Sequence, residues 1–251
     1  MRPFLFTVTK VNNEMLTLTK LDKQLIFPPA DIALIEPNGL LAFGGDLSAE
    51  RLLLAYSSGI FPWFSQDEPI MWWSPDPRGI LPLEHFKCSK SLKKFARNCD
   101  YEITINNAFD QVIDICATIP RNDSGTWITD DMINAYKNLH RLGHAHSVEV
   151  WSENILVGGL YGIIVGKVFC GESMFHKATN TSKLAMFALV ELLKSQKAEF
   201  IDCQMQNSHL ASLGCIEVPR SRFLALLAEQ SQQTFEHGVW QPQTLNFNQW
   251  L

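Results

Sequence analysis

Two short stretches carry residue types that ordinary strands avoid. In "FCGESMF" (169–175), Gly171, Glu172 and Ser173 stand between Phe169 and Phe175. A half-buried strand alternates apolar and polar residues, and a core strand avoids a carboxylate. A glycine that removes bulk, followed at once by an acid, marks a strand with something other than protein against it. The bland alternative is a strand end turning into a loop. In "FIDCQMQNSH" (200–209), Asp202 and Gln204 are two apart, which predicts one shared face with Phe200, and Ile201, Cys203 and Met205 on the other. Such a pair is either a structural hydrogen bond or a device that holds and orients an attacking amine. A carboxyl of reference pKa about 3.9 is a feeble base toward an α-amino group of about 8. Positioning, which lowers a barrier by up to roughly 7–11 kcal/mol, is the stronger use of the pair.

A third stretch carries charge. "HFKCSKSLKKFARNC" (85–99) holds Lys87, Lys90, Lys93, Lys94 and Arg97 and no acid, in a chain whose formal charge is −5. A helix beginning at Ser89 sets Lys90, Lys94 and Arg97 on one face, with Leu92, Phe95 and Ala96 roughly opposite. The run is a solvated face or an anion-binding one, and the missing acids point to an anion. Asn180, Thr181 and Ser182 with Lys183 open a further helix whose N-terminus is a plausible phosphate seat.

Other chemistries lack their residues. His144 and His146 have no third metal ligand at useful spacing, Gly158-Gly159 and Gly162 form no nucleotide fingerprint, and G-x-S-x-G is absent. The six cysteines are scattered without a C-x-x-C pair, and no run of eighteen apolar residues or A-x-A-like cleavage site occurs. A cytoplasmic protein with reduced cysteines is expected.

These residues need elements to position them. Hydrophobic content of 46% in 251 residues supports a real core. The composition breaks clearly near residue 78. Before the break, "DLSAERLLLAYSSG" reads as a helix capped by Ser48, with Leu52, Leu53 and Tyr56 at helical spacing, and "PIMWWS" as a strand. After residue 100 come a strand ("YEITIN"), two helices ("AFDQVIDICAT", "DDMINAYKNLHRLG"), and three strands joined by turns at Glu153-Asn154 and Gly166-Lys167. A helix apolar on nearly all sides ("TSKLAMFALVELLKSQ"), the strand "EFIDCQ", a short helix ("SHLASLG") and a closing helix ("PRSRFLALLAEQSQ") follow. The fold class is α/β (α+β), in the element order of GNAT acyltransferases. The Q/R-x-x-G-x-G/A pyrophosphate loop of that fold is missing, so coenzyme A is not expected as donor.

"EPNGLLAFGGDLSAERLLLAYSSGIFPWFS", "PIMWWSPDPRG", "GTWIT", "LHRLGHAHSVEVW", "LVGGLYG", "FCGESMF", "IDCQ" and "ASLG", in that order, resemble the bacterial leucyl/phenylalanyl-tRNA–protein transferases over roughly residues 27–242. Residues 1–26 look like an extension of the family core. The resemblance implies a small N-terminal domain (1–78) followed by a GNAT-like catalytic domain (79–251) without a cofactor; nothing in the sequence suggests an obligate partner or a membrane, so a monomer is expected. Its reaction moves Leu or Phe (Met less well) from aminoacyl-tRNA to proteins with N-terminal Arg or Lys, which are thereby marked for degradation. It further implies an apolar aminoacyl pocket from Trp127, Tyr136, Leu160, Phe169, Leu189 and Leu193, and Trp63 against the 3′ adenosine. Gly171, Glu172 and Ser173 would face the aminoacyl ester, with Glu172 helping to receive the cationic acceptor. Asp202 and Gln204 match the family's catalytic pair, Gln204 accepting from the attacking amine while Asp202 orients it, and Lys90, Lys94 and Arg97 match a basic cluster along the tRNA acceptor stem. The rival readings are a tRNA-binding adaptor without transfer and a coenzyme A-dependent acetyltransferase.

Overall fold

Two sheets organise the chain in the computed structural model, which describes residues 5–11, 14–120 and 127–250. Part of the expected N-terminal extension, and Gly125-Thr126 of "GTWIT", lie outside the described residues. The first sheet contains β1 (Leu5–Val11), β2 (Glu14–Leu21), β3 (Leu40–Gly44), β4 (Phe61–Pro62) and β5 (Met71–Trp73), in the order β1-β2-β3-β5-β4. Helix α1 (Ala49–Ser57) lies between β3 and β4, and the Ser48 side chain accepts the Arg51 N–H as its cap. Leu52 and Tyr56 are buried, as their helical spacing requires.

The second sheet begins at the compositional break, with β6 (Arg78–Pro82). The expected rhythm follows: β7 (Glu102–Ile105), α3 (Phe109–Thr118), α4 (Asp130–Arg141), then the antiparallel meander β8 (Ala145–Ser152), β9 (Ile155–Val165) and β10 (Val168–His176). Glu153 and Asn154 both take positive φ, 48° and 66°, which suits the tight β8–β9 hairpin. Helix α5 (Thr181–Ser195) crosses over to β11 (Phe200–Gln204), which runs parallel to β10. The chain closes with α6 (Ser208–Leu213), β12 (Ile216–Val218), α7 (Arg220–Gln230) and β13 (Gln243–Thr244). The sheet order is β12-β6-β11-β10-β9-β8-β7-β13.

Alternation along the strands divides the core into two layers. Cys170, Tyr161 and Phe200 belong to the layer shared with α1, α3, α4 and α7, whereas Phe169, Leu160 and Ile201 belong to that of α5 and α2 (Lys90–Asn98). Eleven of the fifteen residues of α5 are buried, which makes it an interior helix. Its first turn is closed as well: Thr181 and Ser182 are buried and the Thr181 hydroxyl donates to the Val157 and Ala178 carbonyls. The phosphate seat expected there is thus filled by strand β9, whose Gly158 leaves room only for Thr181.

Candidate active site

Strands β10 and β11 pair at Phe169–Ile201 and Cys170–Asp202, and no further. Just beyond, each is bulged against its other neighbour, β10 between Gly171 and Ser173 and β11 between Asp202 and Gln204. Bulges bend and twist a strand and re-aim its side chains. Here they flank a cavity of about 500 Å³ that reaches both core layers. Gly171, Glu172, Ser173 and Met174 line one side of the split, and Ile201, Cys203, Gln204 and Met205 the other. Leu160, Phe169, Met186, Leu189 and Trp127 form apolar walls, Phe61, Pro62 and Trp63 come from the N-terminal region, and His209 and Leu210 of α6 complete the lining.

A bulge interrupts β11 between Asp202 and Gln204, the two residues expected as a pair on one face. Asp202 pairs with Ile80, but it is Gln204, not Cys203, that pairs with Gly79. Gln204 and Cys203 both line the cavity, and the Gln204 amide reaches Glu172 across the split. Gln204 has φ +61°, and the Met205 N–H donates to the Cys203 carbonyl at 2.7 Å, so the strand ends in a γ-turn centred on Gln204. Asp202 lies outside the cavity lining and is 1% exposed. Arg78 grips both its oxygens, Nε to Oδ1 at 2.9 Å and Nη2 to Oδ2 at 2.7 Å. Arg78 also donates to the Gly59 carbonyl at 3.0 Å, and its guanidinium stacks over the Phe223 and Phe61 rings at 4.4 and 5.0 Å. The Gln204 N–H donates to Asp202 Oδ1 at 3.0 Å. Asp202 is absent from the cavity lining and meets the turn through that Gln204 N–H.

Glu172 sits half-buried where the split closes. Its Oε1 accepts from Tyr56 Oη at 2.7 Å and Gln204 Nε2 at 2.9 Å, and its Oε2 accepts from Tyr136 Oη at 3.1 Å. The two tyrosine hydroxyls also bond to each other. Burial pushes the Glu172 carboxyl up from the usual carboxylate range to about 7, against the pull of its three hydrogen-bond donors. Burial, reinforced by the Glu172 charge, holds both phenols well above their ordinary value.

Two residues expected in the apolar wall lie elsewhere. Tyr136 is fully buried behind Glu172, because α4 delivers its hydroxyl to the carboxylate rather than its ring to the cavity. Leu193, one turn beyond Leu189 on α5, is buried in the core past the end of the cavity. Trp127, Leu160, Phe169 and Leu189 do line it, and Trp63 stands at the mouth, 40% exposed, tilted against Trp73 at 5.5 Å between ring centroids. Sequence reasoning missed Arg78 and the role of Tyr56, which reads as an apolar helix position until its hydroxyl is placed.

The glycine that first marked the strand has room for a side chain inside the protein. A Cβ at Gly171 would meet nothing closer than the Asp202 carbonyl at 3.7 Å, so the space it leaves belongs to the cavity. Across the ladder, a Cβ at Gly162 would lie 2.3 Å from the Cys170 carbonyl and 2.5 Å from the Phe169 ring. Gly171→Val is therefore expected to fold within about 1 kcal/mol of wild type while occupying the cavity, and Gly162→Ala to destabilise by about 1–3 kcal/mol through overpacking. Urea denaturation of the two variants checks this, and equal losses would show that Gly171 is a packing residue.

The basic run forms α2 as expected. Ser89 Oγ accepts the Leu92 N–H at 3.1 Å, Leu92 and Ala96 are buried, Phe95 is half-buried, and Lys90, Lys94 and Arg97 are exposed. Among the described residues no three His, Cys, Asp or Glu side chains gather as a metal site, and no helix is long and apolar enough to cross a membrane.

Comparison with known proteins adds family relationships to this geometry. The model for "Leucyl/phenylalanyl-tRNA protein transferase" matches residues 80–228, and that for the N-terminal domain of the same family matches 45–76. A leucyl/phenylalanyl-tRNA–protein transferase of Pseudoalteromonas atlantica is 63% identical over 231 residues, 92% of this chain and 99% of its own. One of Yersinia enterocolitica is 55% identical over 232 residues, covering 92% and 98%. Among solved structures, L-PGS from Bacillus licheniformis overlaps with a TM-score of 0.37 at 13% identity, over 67% of this chain and 54% of its own, a likeness too slight to argue from.

Proposed function

The chain belongs to the leucyl/phenylalanyl-tRNA protein transferase family, and from that premise we propose that it moves Leu or Phe, and Met less well, from aminoacyl-tRNA to the α-amino group of proteins beginning with Arg or Lys. The products are marked for degradation, and the work is done in the cytoplasm by a monomer. The observation that carries this reading is the split between β10 and β11, with apolar walls on one side and Glu172 beside Gln204 where it closes. A Leu or Phe side chain fits among Trp127, Leu160, Phe169, Met186 and Leu189. An apolar pocket of this kind discriminates by only about 1–3 kcal/mol per methylene, enough to favour Leu and Phe over smaller side chains without excluding Met. Trp63 at the mouth stacks on the terminal adenosine, a contact of roughly 1–3 kcal/mol.

With its Nε2 committed to Glu172, Gln204 has its carbonyl oxygen left to accept a hydrogen bond from the incoming amine. The Glu172 carboxylate faces the same place and draws the cationic acceptor N-terminus. Once it has released its extra proton to solvent, the neutral amine attacks the ester carbonyl, and the tRNA ribose oxygen leaves carrying one of the nitrogen's protons. Positioning of this kind is the main catalytic resource of an enzyme whose donor is already an activated ester.

Labelled Phe-tRNA offered to two peptides that differ only in an N-terminal Arg or Ala tests the reading. Label on the Arg peptide alone is expected. Binding of tRNA without transfer to either peptide would leave an adaptor, and turnover of acetyl-CoA would point to an acetyltransferase. The exposed cations of α2 lead to a second expectation. If Lys90, Lys94 and Arg97 neutralise backbone phosphates, replacing all three by Ala weakens tRNA binding and reduces the slope of log affinity against log salt by about 2–3. An unchanged slope in a filter-binding titration would return α2 to the status of a solvated helix.

A further inference from the structure

We infer that Glu172 is the group that takes the proton from the attacking amine and returns it to the departing ribose oxygen. This rests on the transfer reaction proposed above and names the base in it.

The two residues of the expected pair are unsuited to the task. Asp202 is outside the cavity with both oxygens held by Arg78 and one also by the Gln204 N–H. Gln204 is an amide, which accepts a hydrogen bond but holds no proton at neutral pH. Among the cavity-lining residues Glu172 is the one carboxylate.

Counting protons shows that its surroundings are built for two states. Glu172, Tyr56 and Tyr136 form a closed triangle of three oxygen–oxygen contacts: Tyr56 with Oε1, Tyr136 with Oε2, and the two hydroxyls with each other. Three such contacts need three protons, and two hydroxyls supply two. With Glu172 ionised, one contact has no proton between its oxygens. A proton on Oε2 completes the ring: Oε2–H donates to Tyr136, Tyr136 to Tyr56, and Tyr56 back to Oε1, where Gln204 Nε2 also donates. Proton uptake by Glu172 is thereby stabilised by groups already in place.

Several neighbours of the carboxylate contribute to this balance, while burial holds the His209 imidazole of α6, which lines the same cavity, below its ordinary value. Tyr56 of α1 and Tyr136 of α4 stay protonated, both phenols being held well above their ordinary value by burial. Tyr161 of β9 packs edge-on to the Tyr136 ring. On β11, Gln204 donates, and the Asp202 charge, itself paired with Arg78 of β6, adds to the rise. Cys170 on β10 stays a neutral thiol, since burial and the Asp202 charge push it far up. The resulting value of about 7 suits a base that must both accept and release a proton near neutrality.

The step balances. The neutral α-amine adds to the ester carbonyl, forming the C–N bond, and the nitrogen passes one proton to Glu172. Collapse of the tetrahedral intermediate breaks the ester C–O bond, and Glu172 returns the proton to the ribose oxygen. Amide and free tRNA leave, and the carboxylate is restored.

The test follows kcat/KM for an Arg-initiated peptide against pH with Phe-tRNA saturating, in wild type and Glu172→Gln. Because wild type must lose a proton from both Glu172 and the amine, log kcat/KM is expected to rise with a slope of two below pH about 7 and of one up to the amine's own value of about 8. Glu172→Gln is expected to be slower by roughly 10²-fold or more and to keep a slope of one throughout. A slope of two in both proteins would overturn the assignment, as would a variant with wild-type rates. Wild type that transfers to no peptide at any pH would instead sink the proposed reaction. In that event, carbon-13 NMR of carboxyl-labelled glutamate still decides the matter, without relying on the variant's folding: a Glu172 midpoint near 7 supports the ring, and one near 4.5 removes it.

Discussion

Asp202→Ala is expected to destabilise the protein by about 3–5 kcal/mol, because it leaves the Arg78 guanidinium buried without its counter-charge. Arg78 is 1% exposed. Its other partner, the Gly59 carbonyl, cannot replace a bidentate carboxylate. Transfer falls in the same variant for a separable reason: the Gln204 N–H loses its acceptor, and the γ-turn that aims the amide loosens. A double replacement, Arg78→Met with Asp202→Leu, separates the two effects. Exchange of a buried ion pair for apolar side chains of similar volume is often close to neutral. The orphaned Gln204 N–H adds about 1–3 kcal/mol to that balance. The double variant should therefore recover most of the stability lost by Asp202→Ala and little of the transfer. Urea denaturation and single-turnover rates measure the two quantities. If Asp202→Ala keeps full stability and loses only transfer, Asp202 touches the reaction directly and its role as a support is wrong.

The Arg78–Asp202 pair shows where reading the sequence runs out. The order of strands and helices follows from periodicity and caps, and the oddity of Gly171-Glu172-Ser173 is visible as a glycine and an acid inside an apolar run. Gly171 is also the position where the structure finds space that no protein atom claims. The partners of those residues are another matter. Arg78 is 124 residues from Asp202, Tyr56 is 116 from Glu172, and nothing in the local pattern around either suggests the contact. A bulge is equally hidden. Alternation cannot show the irregularity in β11 between Asp202 and Gln204, where the first stays out of the cavity lining and the second enters it. Short distal strands fail for the opposite reason: β12 and β13 are held by pairing with β6 and β7 and have too few residues to show alternation.

Gln204→Gly is expected to separate stability from activity most sharply. A non-glycine residue at φ +61° in a γ-turn carries backbone strain on the order of 1–3 kcal/mol, which glycine does not. Against that gain stands the loss of the Gln204–Glu172 hydrogen bond, worth about 1.5–3 kcal/mol when the acceptor is charged. The two nearly cancel, so the melting temperature should move by only a few degrees. Transfer should nevertheless fall by roughly 10²-fold, because the amine loses the carbonyl that holds it in line with the ester. The Glu172 carboxyl, deprived of one donor to its ionised form, moves further above its ordinary range. Gln204→Asn provides the intermediate case, since Asn tolerates positive φ but its amide is one methylene short. Its strain is therefore similar to that of wild type while its reach is not, and a rate between those of wild type and glycine would tie the loss to the position of the amide. Wild-type transfer by Gln204→Gly would mean that the strained turn at the end of β11 serves the fold alone.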